Sequence, residues 1–206
     1  MIKNIILDVG MVLIDFCWKE LLEKLGITGE AFEAVADATV RTPEWNEYDR
    51  SALTDEELLA GFQAKAPDYA QQIQMFWNHM SGMIRQYAYA KPWISAMKEA
   101  GYQVYILSNY ARRTYELTKS DGLDFLPLTD GAVFSFETGH IKPEKEIYHL
   151  IMEKYGLVPE ECIFIDDNAP NLAYPAELGW STIQFRTLEQ VQQELRANGV
   201  KIAEMA

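Results

Sequence analysis

Three apolar runs in this chain end in polar residues: Asp8 follows Ile5-Ile6-Leu7, Ser108-Asn109 follows Val104-Tyr105-Ile106-Leu107, and Asp166-Asp167 follows Ile163-Phe164-Ile165. A fourth polar position, Lys142, stands in a loop ahead of a helical pattern. If the runs are parallel strands, their ends converge on one sheet edge and these groups meet in one cleft. Carboxylates crowded there raise one another's pKa and repel unless a cation lies among them. Hard oxygen donors suit Mg²⁺, which keeps several waters and commonly combines one or two carboxylates with a substrate phosphate. Asp8 and Asp166 are the expected ligands. A phosphate held this way would lie in line with an Asp8 oxygen, and a carboxylate can form an aspartyl-phosphate that water then releases. Ser108 and the backbone N–H of Asn109 are suited to holding phosphate oxygens. Lys142 is suited to neutralising charge on both nucleophile and transferring group.

The elements that must position these groups are legible as strands at Ile2 to Leu7, Tyr102 to Leu107, Cys162 to Ile165 and Thr182 to Phe185, with a weaker fifth at Ala132 to Phe134. Helical patterns alternate with them, which predicts an α/β fold with a Rossmann-like, doubly wound parallel sheet. Lys91-Pro92 opens one helix that stops at Gly101, and Pro143 starts another that ends near Gly156, the usual placement of Pro and Gly at helix ends. From Phe16 to about Tyr89 the strand signal disappears and amphipathic helices follow, with Thr54-Asp55-Glu56-Glu57 as a capped start. The expected division is a core of residues 1–15 and 90–206 with a helical cap at 16–89, placed over the ligand-binding edge of the sheet.

Composition narrows the partners. The 206 residues are 49% hydrophobic and 24% charged, ordinary globular values, and the net charge of -13 argues against nucleic acid or an anionic membrane. An acidic protein that binds an anionic substrate needs a local cation, which again favours a metal. Cys162 sits in an apolar run and reads as a small buried hydrophobe, so no disulfide with Cys17 is expected. The apolar run before Asp8 is shorter than a signal peptide needs, so none is expected and the expected location is cytoplasmic.

Together, Ile5-Ile6-Leu7-Asp8-Val9-Gly10, Leu107-Ser108-Asn109, the string from Ser135 to Pro143, and Ile165-Asp166-Asp167-Asn168 with Asn171, Ala173 and Gly179 resemble, in order, the four motifs of the haloacid dehalogenase superfamily. The run from Glu47 to Glu57 is similar to that family's helical cap. The resemblance implies a Mg²⁺-dependent phosphatase acting on a small phosphorylated metabolite, with Asp8 as nucleophile, Ser108 and Lys142 as phosphate contacts, Asp166 as metal ligand and Asp167 supporting the metal. One position departs from it. Most phosphatases of the superfamily have an aspartate two residues after the nucleophile as general acid and base, and here that residue is Gly10. The family's use of the backbone carbonyl at this position as a metal ligand is open to glycine. The form of the motif resembles a Gly-bearing branch that includes phosphatases of glucose 1-phosphate. Loss of the acid points to leaving groups that depart readily, because such help contributes on the order of 10²- to 10⁴-fold.

Rival readings are a 2-haloacid dehalogenase, a signalling receiver domain and a non-catalytic phosphate-binding protein. Asp15 is expected in a turn or helix cap rather than as a substitute acid. His79, His140 and His149 lack metal-ligand spacing. Trp45, Tyr48, Trp77 and Tyr110 are expected chiefly in packing, and Arg112-Arg113 on a solvated helix face.

Overall fold

The computed structural model describes residues 1–203. Five parallel strands form the central sheet: β1 (Asn4–Leu7), β4 (Gln103–Ser108), β5 (Gly131–Phe134), β6 (Cys162–Asp166) and β7 (Ser181–Gln184), in the order β5-β4-β1-β6-β7. Each expected strand is present, with ends shifted by one or two residues. Both faces of the sheet are covered, and a period of two assigns each strand residue to a face. Ile5 and Leu7, Val104 and Ile106, and Ile163 and Ile165 pack on one side with α6 (Ala90–Glu99) and α11 (Leu188–Ala197). Ile6, Tyr105, Leu107, Cys162 and Phe164 pack on the other with α9 (Lys145–Tyr155) and α10 (Pro170–Glu177). This is the doubly wound arrangement expected from the alternation of runs.

Between the first and second strands of the sheet lies a helical block: α1 (Trp18–Lys24), α2 (Glu30–Ala38), α3 (Trp45–Arg50), α4 (Asp55–Lys65) and α5 (Ala70–Asn78). It has its own core, in which Leu21, Leu22, Val35, Tyr48, Phe62, Phe76 and Trp77 are buried together. Thr54 caps α4 with a reciprocal Thr54–Glu57 capping box, as its sequence predicts.

The block is not purely helical. Strands β2 (Ile14–Phe16) and β3 (Ile84–Gln86) pair antiparallel where the chain leaves and re-enters the sheet. They escaped notice because three residues carry too little periodicity to register. Asp15 lies on this ribbon, paired with Arg85, and not in a turn or cap. Two further short helices complete the site's surroundings, α7 (Arg112–Thr118) after β4 and α8 (Ser135–Thr138) after β5. No helix among the described residues is long and apolar enough to cross a membrane.

Candidate active site

Strand register brings the sequence-predicted groups together. β1 is central: Leu7 pairs with Ile106 on one side and Ile165 on the other, and the Asp8 N–H donates to the Ile165 carbonyl at 2.9 Å. Asp8 therefore emerges between the ends of β4 and β6, beside Ser108 and Asp166. All three are buried. Lys142 arrives from the segment between α8 and α9, and the Asn109 side chain fixes it there. Asn109 Oδ1 accepts from the Lys142 N–H at 2.7 Å, and Nδ2 donates to the Lys142 carbonyl at 3.0 Å.

The Lys142 ammonium lies 2.8 Å from Asp8 Oδ1 and 2.6 Å from Asp166 Oδ2, and its side chain is 1% exposed. Asp8 Oδ1 also accepts from the Val9 N–H at 2.7 Å, which leaves Oδ2 with no partner among the described residues. Asp166 is held by Asn171 Nδ2 at 3.0 and 3.1 Å and by the Asn168 N–H at 2.8 Å. Of the acidic pair it is Asp166 that ties down the following loop, while Asp167 stays half-buried and lines the cleft. Among the described residues Ser108 Oγ makes only a long contact, 3.5 Å, to the Asn109 carbonyl.

Burial pushes the Asp8 carboxyl up to about 7, with Lys142 pulling it down and Asp166 adding repulsion. Burial and Asp166 also raise Asp167. Burial opposes charge on Lys142, but Asp166 and Asp8 outweigh it and hold its pKa above the ordinary lysine value. Asp8, Asp166 and Asp167 present carboxylate oxygens that all lie within 4.8 Å of one another. When ionised, three carboxylates against one ammonium leave a formal excess of two negative charges in an all-oxygen donor set, and burial together with this crowding holds the Asp8 and Asp167 carboxyls above their ordinary range. A hard divalent cation fits both the charge and the donor type.

Above this edge a cleft of about 200 Å³ is lined by Asp8, Gly10, Asn109 and Asp167 below and by Phe16, Trp45, Tyr48 and Asp49 of the helical block above. Tyr110 lines it too, so three of the four singled-out aromatics face the cleft as well as packing. Trp77 lies in the core of the block. Arg112 is exposed, as expected of a solvated helix face, whereas Arg113 is half-buried. Arg112 stacks over Phe136, while Arg113 stacks over Trp77 and pairs with Asp55 at 2.8 Å, so α7 is part of the contact between block and sheet. None of the three histidines lines the cleft.

Sequence reasoning passed over Asp49. Its signal was available: on α3, Trp45, Tyr48 and Asp49 share a face by i, i+3 and i, i+4 spacing, which sets a carboxylate among aromatics. Withdrawal from solvent, with the Asp8 charge adding to it, pushes its carboxyl up to about 7.

Known proteins with this architecture do different chemistry. The chain is 26% identical over 95% of its length to D-ribitol-5-phosphate phosphatase of Bacteroides thetaiotaomicron, 97% of which is covered. Its fold matches a HAD family enzyme from the same organism, in complex with magnesium and inorganic phosphate, with a TM-score of 0.71 at 23% identity, covering 93% of this chain and 99% of that one. It also matches L-2-haloacid dehalogenase from Xanthobacter autotrophicus, with chloropropionic acid covalently bound, at a TM-score of 0.66 and 15% identity, covering 98% and 85% of the two chains. The model of the haloacid dehalogenase-like hydrolases matches residues 2–179, and with the sheet, inserted helices and buried Asp8–Lys142–Asp166 cluster already described, the chain belongs to that family of enzymes.

Proposed function

We propose that this enzyme is a Mg²⁺-dependent phosphatase that hydrolyses small phosphate monoesters, sugar phosphates such as glucose 1-phosphate among them, through a phospho-Asp8 intermediate. The observation that carries the proposal is the formal excess of two negative charges among Asp8, Asp166, Asp167 and Lys142 at the floor of a covered cleft. A site for haloacids has no need of a cation, whereas a phosphate dianion has. The named phosphatase relative and the magnesium-phosphate complex of a fold relative support the same reading.

Asp8, Asp166 and the Gly10 carbonyl are the residues that would hold Mg²⁺, with Asp167 supporting them. The ion, when bound, supplies positive charge to phosphate oxygens and offsets the carboxylates. Asp8 attacks phosphorus through the oxygen that Lys142 leaves free, a P–O bond to Asp8 forms, and the bond to the leaving oxygen breaks. Lys142 holds the other Asp8 oxygen and fixes the carboxylate's orientation. Ser108 and the Asn109 N–H steady the transferring group. Water then attacks phosphorus, frees inorganic phosphate and restores Asp8. Residues 16–89 act as a cap on a core of 1–15 and 90–206, excluding bulk water from the aspartyl-phosphate. Gly10 supplies no proton, so a leaving group departs as the oxyanion unless another group on the cleft wall protonates it.

A phosphate-release screen with Mg²⁺, spanning acyl, anomeric, aryl and alkyl phosphates, tests the reading. Turnover of at least one class, lost with EDTA and restored by Mg²⁺, is expected. Inactivity on all four, or haloacid hydrolysis that survives EDTA, would refute it.

A further inference from the structure

Asp49 stands on the cap side of the cleft that holds Asp8, Gly10 and Asp167. Its carboxylate makes no hydrogen bond or ion pair with any described residue; only burial and the charges of Asp8 and Lys142 act on it. Four other polar side chains of the cleft are committed elsewhere, and Asp167 belongs to the carboxylate set around Asp8. Tyr48 Oη and Thr114 Oγ1 bond each other at 2.6 Å, Tyr110 Oη bonds Thr118 Oγ1 at 2.9 Å, and the Asn109 amide clamps Lys142. An unpaired acid among aromatics costs stability, so folding alone gives no reason for it.

The backbone that bears Asp49 is pinned to the core. Ser135 Oγ donates to the Asp49 carbonyl at 2.6 Å, Arg50 pairs with Glu144 and donates to the Gly139 carbonyl at 3.2 Å, and the Arg112 N–H donates to Ser51 Oγ at 3.0 Å. The acid is thus carried on a short helix fixed at its own position and at the two residues that follow, the condition for precise placement. On the core side of the cleft, a Cβ at Gly10 would meet nothing within 4 Å, so that position leaves space beside the reacting atoms. Asp15, the acid just past the first motif, is spent on Arg85.

We propose that Asp49 is the general acid and base of this reaction, supplied by the cap in place of the side chain that Gly10 lacks. As the bond between phosphorus and the leaving oxygen breaks and Asp8 takes the phosphoryl group, Asp49 gives its proton to that oxygen. When water attacks the phosphorus of phospho-Asp8, its proton goes to Asp49, the Asp8 carboxylate is restored and inorganic phosphate departs. The inference rests on the phosphatase reading and enlarges its substrate class: alkyl phosphates, whose leaving oxygens are strongly basic, become substrates despite Gly10.

The test is Asp49→Asn in the full chain with Mg²⁺, assayed on p-nitrophenyl phosphate and on an alkyl phosphate, with thermal melting as a check of folding. A proton donor matters only where the leaving group is basic. The expected result is a fall in kcat of about 10²-fold or more on the alkyl phosphate against less than about 10-fold on the aryl one, with KM little changed. Equal losses on both substrates, or a change confined to KM, would overturn the assignment and make Asp49 a binding or structural group. If Asp49→Asn melts early, Asp49→Ser is read in the same way. Wild type inert to the alkyl phosphate overturns this inference, and inactivity on all four phosphate classes overturns the phosphatase reading with it, whereas a failed leaving-group split overturns the inference alone.

Discussion

At the sheet edge the buried carboxylates of Asp8 and Asp166 share one ammonium, with Lys142 Nζ 2.8 and 2.6 Å away, while across the cleft the Asp49 carboxylate on α3 has no hydrogen-bond or ion-pair partner among the described residues. The edge is built from strand ends, where register and three side-chain clamps leave each group one position. The cap wall is built from a helix whose backbone is tied down and whose acid is left uncommitted. A group that must hold charge in place is best surrounded; one that must exchange a proton is best left unbonded until substrate arrives.

The largest effect that separates the two regions is expected at Lys142. Lys142→Met leaves two buried carboxylates facing each other without a cation, so unfolding free energy should fall by about 3–5 kcal/mol and turnover by on the order of 10³-fold. Urea melts and phosphate release measure both. An unchanged melt would mean that the edge is not electrostatically strained. Next comes Asp167→Asn, which removes one charge from the donor set. Mg²⁺ should still raise the melting temperature, but at about 10- to 100-fold higher concentration. An identical Mg²⁺ titration would take Asp167 out of the metal site.

Much of the edge was legible because strand ends carry a sequence signature: an apolar run of four or five residues, then a polar residue that the sheet cannot bury without use. Asp8, Ser108 and Asp166 each followed that rule. Lys142 needed its motif, since nothing local shows that Asn109 holds its backbone from thirty-three residues away. The cap resisted for physical reasons. Its aromatics pack and line the cleft at once, so Trp45 and Tyr48 have the same spacing under either role, and Asp49 reads as one more solvated helix charge until the core closes over it. The β2–β3 ribbon is too short for a period, and Arg112 and Arg113 find partners only through tertiary contact.

Smaller effects test how firmly the cap is held. Hydrogen bonding to Arg50 holds the Glu144 carboxyl down at about 2. Its folded pKa lies below the unfolded value of about 4.3. The pair therefore contributes fully above that unfolded value and is lost as pH falls through about 2. Because both side chains are partly exposed, the contribution is below about 1 kcal/mol. Glu144→Gln should lower stability at neutral pH by that amount and flatten the acid side of the stability curve; a curve parallel to wild type would show that the pair does not clasp the cap. The smallest change is expected for Gly10→Ala. Open space and an ordinary backbone conformation at that position predict a stability shift of no more than about 1 kcal/mol, toward greater stability. Strong destabilisation would mean that Gly10 serves the fold rather than leaving room in the cleft.

The central claim is that Asp8 is phosphorylated during turnover. Wild-type enzyme quenched in acid while hydrolysing p-nitrophenyl phosphate with Mg²⁺, then digested and analysed by mass spectrometry, should have a phosphoryl group on the peptide containing Asp8, and Asp8→Asn should have none and no turnover. Sustained turnover by Asp8→Asn, or a phosphoryl group trapped on a different residue, would contradict the account.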